Sequence, residues 1–459
     1  MNSTGRQLHS DLADYAGSMD GSWLKPVWDA SYLEFRDPLN GNMNYATVLD
    51  TKHLPRGKSF SGFCALLVYS MVKVYRQIAS GTLEKDIGTS GCLCMQQYGN
   101  VFASCRIPMP GSDRLFTVGK PAENACIAVF YRGNIYILPV IKDGDPVGTW
   151  DLASGIGEIM GRKDAPAANI GIMTCAPRED AASFRRHLTG LSALNGENLG
   201  KIEAALFALC IDEPPGGKRS AGQAVWDVLH GNGANRWFDK SVQAVVGTDY
   251  TVGFNNEHTG FDVAIWINLL RKIYRDMQEA EQVVAGPAKP GSATLQADRL
   301  DWVTDDRAAG IIKKMEEDDR AKGKSLHLRL FEFNGFGSSH VKGLKASPDA
   351  FFHLALQLAW FRIKGRQDSV YESVAVRNFC QGRTECMRPA TAAAGTVLDG
   401  KGLPDWQGRR WRSTRSCLSR GRGRGLRGTL PECRQCWAEG AGRFPDTQRD
   451  FLDFRGEVR

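Results

Sequence analysis

The sequence lacks any apolar run close to the ~20 residues that a membrane-spanning helix needs, so we predict a chain without a transmembrane segment. Its first residues contain no apolar stretch like that of a secretory signal, and Asp11 and Asp14 argue against a transit peptide. Apolar residues make up 42% of the chain and charged residues 24%, which is typical of globular proteins. At 459 residues we expect two domains.

Histidine is absent after His353, and this bears on the cysteines near the end of the chain. Cys417, Cys433 and Cys436 would form a zinc site without a fourth ligand, so we predict no metal. The remaining cysteines are widely scattered. Without a secretory signal we expect free, buried thiols in a reducing compartment. Those in apolar or mixed contexts are Cys64, Cys105, Cys126, Cys175 and Cys210.

Excess positive charge is missing from most of the chain, although the net charge is +7. Residues 395–459 contain 14 Lys and Arg against 8 Asp and Glu, whereas the first 394 contain 44 against 43. A nearly neutral body excludes a broadly basic nucleic-acid-binding domain. The segment 406–428 is Arg/Gly-rich without apolar periodicity, and we expect either disorder or a frame-shifted origin there.

The hydrophobic pattern predicts helices and strands throughout the body. Helices are expected at 22–40, 61–83, 178–189, 195–212, 262–284 and 305–322, and from Ser347-Pro348-Asp349 onward. Strands are expected as a hairpin over 125–141, as a pair around 247–249, and over Leu326–Phe333. The segment AGPAKPGSA at 285–293 is the best candidate for a linker.

One short run joins a histidine to two carboxylates. Glu257, His258 and Asp262 lie in NNEHTGFD (255–262), between the second β pair and a predicted helix. If the helix starts here, the four-residue spacing puts His258 and Asp262 on one face, where the carboxylate orients the ring or raises its basicity. Such a histidine suits proton removal from a hydroxyl or thiol. A helix-capping or solvated histidine fits the same spacing and is the more common case.

Two further segments suggest ligand binding. The run FGSSHVKGLKASPD (336–349) is a small-residue loop with two lysines that ends at a predicted helix N-terminus, a place suited to a phosphate. Tyr371, Ser373 and Thr384 supply hydroxyls near arginines, and such a group could hold a small carboxylate. Taken alone, each segment is explained more simply as a solvated loop or a polar turn.

Taken in order, these segments resemble the carnitine/choline acyltransferase family over about residues 20–392. The motifs that carry the resemblance are SCRIP (104–108), NRWFDKS (235–241), Glu257-His258, SPDAF (347–351) with ALQLA (355–359), and Tyr371-Glu372-Ser373 with Gly382-Arg383-Thr384. The resemblance implies an α/β fold of the CoA-dependent, chloramphenicol acetyltransferase-like type. In that family the fold has two domains, and the active site lies in a tunnel between them.

The resemblance also implies an activity, in which an acyl group moves between coenzyme A and the hydroxyl of carnitine or choline. His258 would be the catalytic base, and transfer would pass through a tetrahedral oxyanion without an acyl-enzyme. Acyl-CoA and carnitine would be the small-molecule partners, with CoA as cosubstrate and no permanently bound cofactor. The family further suggests a monomer in the mitochondrion or peroxisome that acts in fatty-acid metabolism. Because no targeting signal is readable, the cytoplasm is the alternative location.

By the same resemblance, two groups of residues would bind the substrates. The CoA segment comprises Lys342, Gly343, Leu344, Lys345, Ala346, Ser347, Pro348 and Asp349. Tyr371, Ser373 and Thr384 would bind carnitine, and Thr384 favours carnitine because choline-specific members have valine there. The family often has a lysine at the position of Ser338, so one phosphate-binding charge is missing.

The resemblance predicts four regions along the chain. These are an extension (1–21), an acyltransferase domain with the histidine (22–290), a partial second domain (300–392) and a divergent tail (393–459). No Ser-Thr-Ser motif, which supplies an oxyanion hydroxyl in the family, occurs in the tail. We therefore expect an incomplete gene product with little activity. The alternative is a non-catalytic relative that binds CoA, a partner protein or RNA, the last through its basic tail.

Overall fold

The computed structural model describes residues 3–19, 21–56, 59–88, 91–119, 123–214, 216, 219–231, 233–279 and 295–398. The helices in these ranges are α1 (Ser3–Ser18), α2 (Leu24–Leu33), α3 (Phe60–Ala79), α4 (Thr149–Gly161), α5 (Arg178–Leu191), α6 (Ala193–Ala204), α7 (Ala221–Leu229), α8 (Val263–Glu279), α9 (Asp306–Ser325), α10 (Ser338–Gly343), α11 (Pro348–Lys364) and α12 (Ala392–Leu398). No helix among the described residues is both long enough and apolar enough to cross a membrane.

The strands of the described ranges are mostly short. They are β1 (Tyr45–Val48), β2 (Ile87–Gly88), β3 (Gly91–Cys92), β4 (Ser104–Ile107), β5 (Arg114–Thr117), β6 (Ala125–Tyr131), β7 (Asn134–Lys142), β8 (Asp145–Pro146), β9 (Ala208–Asp212), β10 (Val242–Gly247), β11 (Val252–Asn256), β12 (Asp298–Arg299), β13 (Glu372–Ala375) and β14 (Thr384–Met387).

The chain divides into two compact units. The sheet unit comprises Val27–Glu84 and Met95–Leu330, and the terminal unit comprises Met1–Pro26, Lys85–Cys94 and Phe331–Arg459. The predicted linker at 285–293 lies outside the described residues. The domain boundaries given by the resemblance stay a prediction.

An eight-stranded mixed sheet forms the centre of the sheet unit. Its strand order is β1-β11-β10-β9-β6-β7-β12, and β8 pairs with β7. The β9 strand runs parallel to both β10 and β6, whereas the other pairs are antiparallel. The protein is therefore a mixed α/β protein, as the resemblance implied.

Helices cover both faces of this sheet. Side chains alternate between the faces along each strand, so neighbouring residues enter different cores. On β6, Ile127 and Val129 belong to a core with α3, α4 and α8, whereas Ala128 and Phe130 belong to a second core with α5, α6 and α9. Strands that are buried on both faces have almost no polar positions, which explains the long apolar runs of β6 and β7.

Most of the predicted elements are confirmed. The hairpin over 125–141 is β6–β7, and the second β pair is β10–β11. The helix predicted at 61–83 is α3, which ends at Ala79 just before Gly81, a residue with a φ of 71°. Ser347 caps α11 by accepting a hydrogen bond from the Ala350 N–H, with proline in the first turn.

Two predictions about elements were wrong in part, and a third was wrong in full. The helix predicted over 195–212 ends at Ala204, and Ala208–Asp212 is instead the central strand β9. A fully buried strand has a continuous apolar run, which periodicity does not separate from a buried helix. The strand predicted over Leu326–Phe333 is absent from this described segment. The helix predicted at 22–40 is limited to Leu24–Leu33.

The terminal unit exposes much of its apolar surface. In α11, which is described in full, Gln357 is the one buried residue. Ile363 is 75% exposed and Leu356 is 52% exposed. The β13–β14 hairpin forms a two-stranded sheet of its own. Residues 392–398 form α12, and the rest of the predicted tail lies outside the described residues.

Candidate active site

His258 lies in the short junction between β11, which ends at Asn256, and α8, which begins at Val263. Its side chain is 25% exposed, so the ring is held by the protein but still open to solvent. Two tyrosine rings contact it. The Tyr45 centroid is 5.0 Å from the imidazole in an edge-on arrangement, and the Tyr32 centroid is 5.3 Å away.

One nitrogen of His258 has its role fixed by its neighbour. Nδ1 lies 3.1 Å from the backbone carbonyl oxygen of Phe261. A carbonyl oxygen only accepts hydrogen bonds, so in the neutral ring Nδ1 carries the proton and donates it. The lone pair is then on Nε2. This tautomer is the one that a general base acting through Nε2 requires.

The predicted partner carboxylate is also close to the ring. An Asp262 carboxylate oxygen lies 4.0 Å from Nδ1 of His258, at the outer limit of an ion pair. The Asp262 N–H donates to Oε1 of Gln97 at 2.9 Å, which fixes the residue just before α8. A turn therefore brings the two residues together, and the face of a helix does not, because α8 starts only at Val263.

Glu257, on the other side of the histidine, is turned into the protein and is 1% exposed. Its carboxylate accepts from the Thr259 N–H at 3.1 Å and from the Thr259 hydroxyl at 2.5 Å. It also pairs with Nη1 of Arg106 at 3.5 Å. Glu257 and Asp262 therefore differ in role: the first holds the loop, and the second faces the imidazole.

Behind the loop lies a cluster of buried charges that sequence analysis missed. Asp113 binds Arg106 at 2.7 Å, Arg178 at 2.6 Å and Arg36 at 3.1 Å. Burial alone would raise the pKa of Asp113, but the charges of Arg178 and Arg106 lower it below its ordinary value. Asp239 pairs with Arg178 at 2.7 Å. Burial outweighs that arginine and raises the pKa of Asp239 to about 6.

The signal for this cluster was present in the sequence. Arg106 stands inside the SCRIP motif, in a segment that is otherwise apolar, and Asp239 stands in NRWFDKS. A charged residue within an apolar strand is buried only when it is paired. That rule marks Arg106 as paired but does not name its partners.

The predicted CoA segment lies in the terminal unit, at the junction of α10 and α11. Lys342 and Gly343 end α10, and Leu344, 54% exposed, follows them. Lys345 has a φ of 57°, in the left-handed region. Both lysines are exposed. Ala346 leads to Ser347, Pro348 and Asp349, which form the cap and first turn of α11.

The predicted carnitine residues also lie in the terminal unit. Ser373 pairs with Cys386 and Ala375 pairs with Thr384 in the β13–β14 hairpin. Because side chains alternate along a strand, Ser373 and Thr384 share one face of the hairpin on diagonal positions. Tyr371 directly precedes β13 and is 56% exposed.

The other face of this hairpin carries a different group. Glu372 lies 3.4 Å from Nε2 of His353 on α11. Within the described ranges, Asp349, His353 and Glu372 form the one group of three or more side chains that could hold a metal ion, with their possible ligand atoms within 4.8 Å of one another. Burial and the nearby Asp349 charge raise the pKa of Glu372. The three tail cysteines weighed for zinc lie outside the described residues.

The prediction of free, buried thiols is confirmed for four of the five cysteines in apolar or mixed contexts. Cys64, Cys105, Cys175 and Cys210 are buried free cysteines, and Cys126 is half-buried. Burial raises the pKa of the Cys210 thiol to about 12. A thiol that stays protonated is a poor nucleophile, so these residues act as small apolar side chains.

Similarity to known proteins is extensive along the chain. Residues 1–399 match the family described as Choline/Carnitine o-acyltransferase. The chain is 29% identical to choline O-acetyltransferase of Sus scrofa over 388 residues, which cover 81% of this chain and 60% of that protein. It is 32% identical to mitochondrial carnitine O-palmitoyltransferase 2 of Macaca fascicularis over 427 residues, 85% of this chain and 64% of that protein.

Among solved structures, a probable dihydrolipoamide acetyltransferase from Listeria monocytogenes is similar at 11% identity with a TM-score of 0.25. The match covers 64% of this chain and 96% of that one. The chain spans less than two thirds of the length of the two curated relatives. Since the family match extends over residues 1–399 of 459, the chain belongs to the choline/carnitine O-acyltransferase family.

Proposed function

We propose that the chain transfers an acyl group between coenzyme A and the hydroxyl of carnitine, with His258 as the general base. The observation that carries the proposal is the hydrogen bond from Nδ1 of His258 to the Phe261 carbonyl. It leaves the lone pair on Nε2, and the 25% exposure of the side chain leaves the ring accessible. Family membership supplies the chemistry that such a base would serve.

The proposed reaction begins with proton transfer from the carnitine hydroxyl to Nε2. The resulting alkoxide attacks the carbonyl carbon of the acyl-CoA thioester and forms a tetrahedral oxyanion. This intermediate collapses, the carbon–sulfur bond breaks, and the imidazolium gives the proton that came from carnitine to the leaving CoA thiolate. Asp262, 4.0 Å from Nδ1, stabilises the imidazolium while it carries the extra proton. In the reverse direction His258 deprotonates the CoA thiol.

CoA is proposed to bind at Lys342 through Asp349. Exposed Lys342 and Lys345 supply positive charge, and α11 begins at Pro348, where the positive end of its helix dipole lies. The helix α11 is 17 residues long, enough for a full macrodipole. Phosphates are therefore the natural ligands of this segment.

Carnitine is proposed as the acceptor because two hydroxyls share one face of the β13–β14 hairpin. Ser373 and Thr384 can donate hydrogen bonds to a carboxylate, which carnitine has and choline lacks. We further propose a two-domain fold of the chloramphenicol acetyltransferase type. Because a relative is named mitochondrial, we place the reaction in the mitochondrion, or in the peroxisome as the resemblance suggests.

The test measures release of CoA thiol from acetyl-CoA and from palmitoyl-CoA, with carnitine or choline as acceptor. We expect carnitine-dependent release of the CoA thiol. His258→Ala should abolish that release. The exposed His53 serves as the matched control, and His53→Ala should leave the rate unchanged. Equal rates in the two variants would contradict the role of His258.

A further inference from the structure

We propose that Arg106 is a positioning residue for His258, because its guanidinium ties together the two segments that hold the imidazole. The inference rests on the proposed function, in which His258 is the base. Arg106 lies on β4, and its side chain is fully buried. It touches neither the imidazole nor the solvent, so any effect on the reaction passes through the residues that it holds.

The first of these segments is the loop that carries the histidine. Nη1 of Arg106 donates to the hydroxyl of Thr259 at 3.3 Å and lies 3.5 Å from the Glu257 carboxylate. These two residues flank His258 directly in the chain. The Thr259 hydroxyl in turn donates to Glu257 at 2.5 Å, which closes a ring of three side chains beneath the histidine backbone.

The second segment is the end of α2. Nη2 of Arg106 donates to the carbonyl oxygens of Phe35 at 3.0 Å and Leu33 at 3.4 Å. Tyr32, one residue before Leu33, places its ring 5.3 Å from the imidazole of His258. The same guanidinium therefore fixes both the backbone that carries the ring and the helix end that packs against it.

The planar shape of arginine explains why this position requires it. Nε of Arg106 donates to Asp113 at 2.7 Å. Each of the three guanidinium nitrogens therefore binds a different part of the chain: Asp113, the histidine loop or the end of α2. A guanidinium presents five donors in a fixed fork, whereas an ammonium concentrates its donors on one atom. Lysine would keep the buried charge but would lose at least one of the three attachments. Arg106→Lys is therefore the informative substitution.

Arg178 provides a matched control. It is as buried as Arg106 and binds the same Asp113, at 2.6 Å, but its other contact is Asp239 at 2.7 Å. Neither residue belongs to the loop or to α2. Arg178→Lys therefore disturbs the same buried cluster without releasing either segment that holds His258.

Two measurements test the inference on the full chain. In acyl-transfer kinetics we expect Arg106→Lys to lower kcat about tenfold or more, with KM for both substrates within about twofold. Arg178→Lys should lower kcat by less than about threefold. The Cε1–H resonance of His258, assigned by its loss in His258→Gln, reports the ring without any assay. In Arg106→Lys it should move toward the position of an unstructured histidine, and in Arg178→Lys it should keep its wild-type position.

The loop side offers a second pair of variants in case Arg106→Lys does not fold. Thr259→Val removes the hydroxyl that links Arg106 to Glu257, and Thr259→Ser keeps it. We expect Thr259→Val to move the His258 resonance and lower kcat. Thr259→Ser should leave both close to their wild-type values.

Equal losses of kcat in Arg106→Lys and Arg178→Lys, with the His258 resonance unmoved in both, would overturn the inference. So would a Thr259→Val variant that behaves like Thr259→Ser. If the wild-type chain shows no transfer at all, the proposed function fails, and the resonance still decides whether Arg106 holds the ring.

Discussion

The carboxylate of Asp262 lies 4.0 Å from Nδ1 of His258, while the carbonyl oxygen of Phe261 takes the hydrogen bond from that nitrogen at 3.1 Å. The aspartate therefore acts on the histidine through its charge, and the backbone sets the tautomer. This division of labour separates two effects that a directly bonded Asp–His pair would combine. A substitution that removes only the charge of Asp262 therefore leaves the tautomer of His258 unchanged.

Asp262→Asn keeps the size of the side chain and removes its charge. Because the charge is favourable only when the imidazole is protonated, we expect kcat to fall about 10- to 100-fold with little change in KM. Steady-state kinetics with carnitine as the varied substrate would measure this. Asp262→Glu, which retains the charge, should lose less. An unchanged kcat in Asp262→Asn would show that the carboxylate is not needed.

Gly260→Ala should damage the loop through crowding. A Cβ at Gly260 would lie only 2.9 Å from Cβ of Asn100, whose side chain donates to the Gly260 carbonyl at 3.1 Å. We expect a loss of unfolding free energy of about 1–3 kcal/mol and a lower kcat. Urea unfolding and kinetics would measure the two effects. Gly222→Ala on α7, where a Cβ meets open space, is the control and should be neutral or slightly stabilising.

Thr384→Val should change the choice of acceptor. The substitution removes the hydroxyl but keeps the shape, so the proposed hydrogen bond to the carnitine carboxylate would be lost, whereas choline would lose nothing. We expect kcat/KM for carnitine to fall about tenfold relative to choline. Competition assays with both acceptors would measure the ratio, and Thr384→Ser should preserve it. A ratio that stays constant in Thr384→Val would remove Thr384 from the carnitine site.

Lys240 makes the stability of the sheet unit depend on pH. Its buried ammonium donates to the Glu203 carbonyl at 2.7 Å, and burial lowers its pKa from 10.5 to about 8. Between these values the unfolded chain binds a proton that the folded protein lacks, so this lysine makes stability rise as pH rises from 8 to 10.5. Below pH 8 the lysine is protonated in both states, so the free-energy cost of burying its charge is fully present.

Lys240→Met removes the titration and tests that sign. The unfolding free energy of the wild type minus that of Lys240→Met should increase by up to about 3 kcal/mol between pH 8 and the ordinary lysine pKa. Urea unfolding at several pH values would measure the difference. Parallel curves for the two proteins would mean that Lys240 does not titrate in this window.

Sequence patterns predicted the surroundings of His258 well, because those signals are local. The β10–β11 pair, the helix after it and the carboxylate four residues on are all read within about twenty positions of the histidine. The residues that hold the loop are distant in the chain. Arg106 and Thr259 are 153 positions apart, and no periodicity relates them.

The error at β9 has a different physical origin. Cys210 and Ile211 are fully buried, with α-helical neighbours on both sides of the sheet, so apolar residues occupy successive positions there. Helical and extended backbones both satisfy such a run, and only the pairing with β6 and β10 decides between them. That pairing is a tertiary contact, which a single sequence does not contain.

The outer strands of the eight-stranded sheet have a consequence for association. One edge is β1, with four residues, and β12, at the other edge, has only two. On β7, β12 pairs with Tyr136 and Ile137, and β8 pairs with Ile141 and Lys142. Pro139 lies between these pairings and has no N–H to donate. This sheet, the largest among the described residues, therefore offers another molecule little continuous backbone to extend, which protects it against amyloid-like stacking at high concentration.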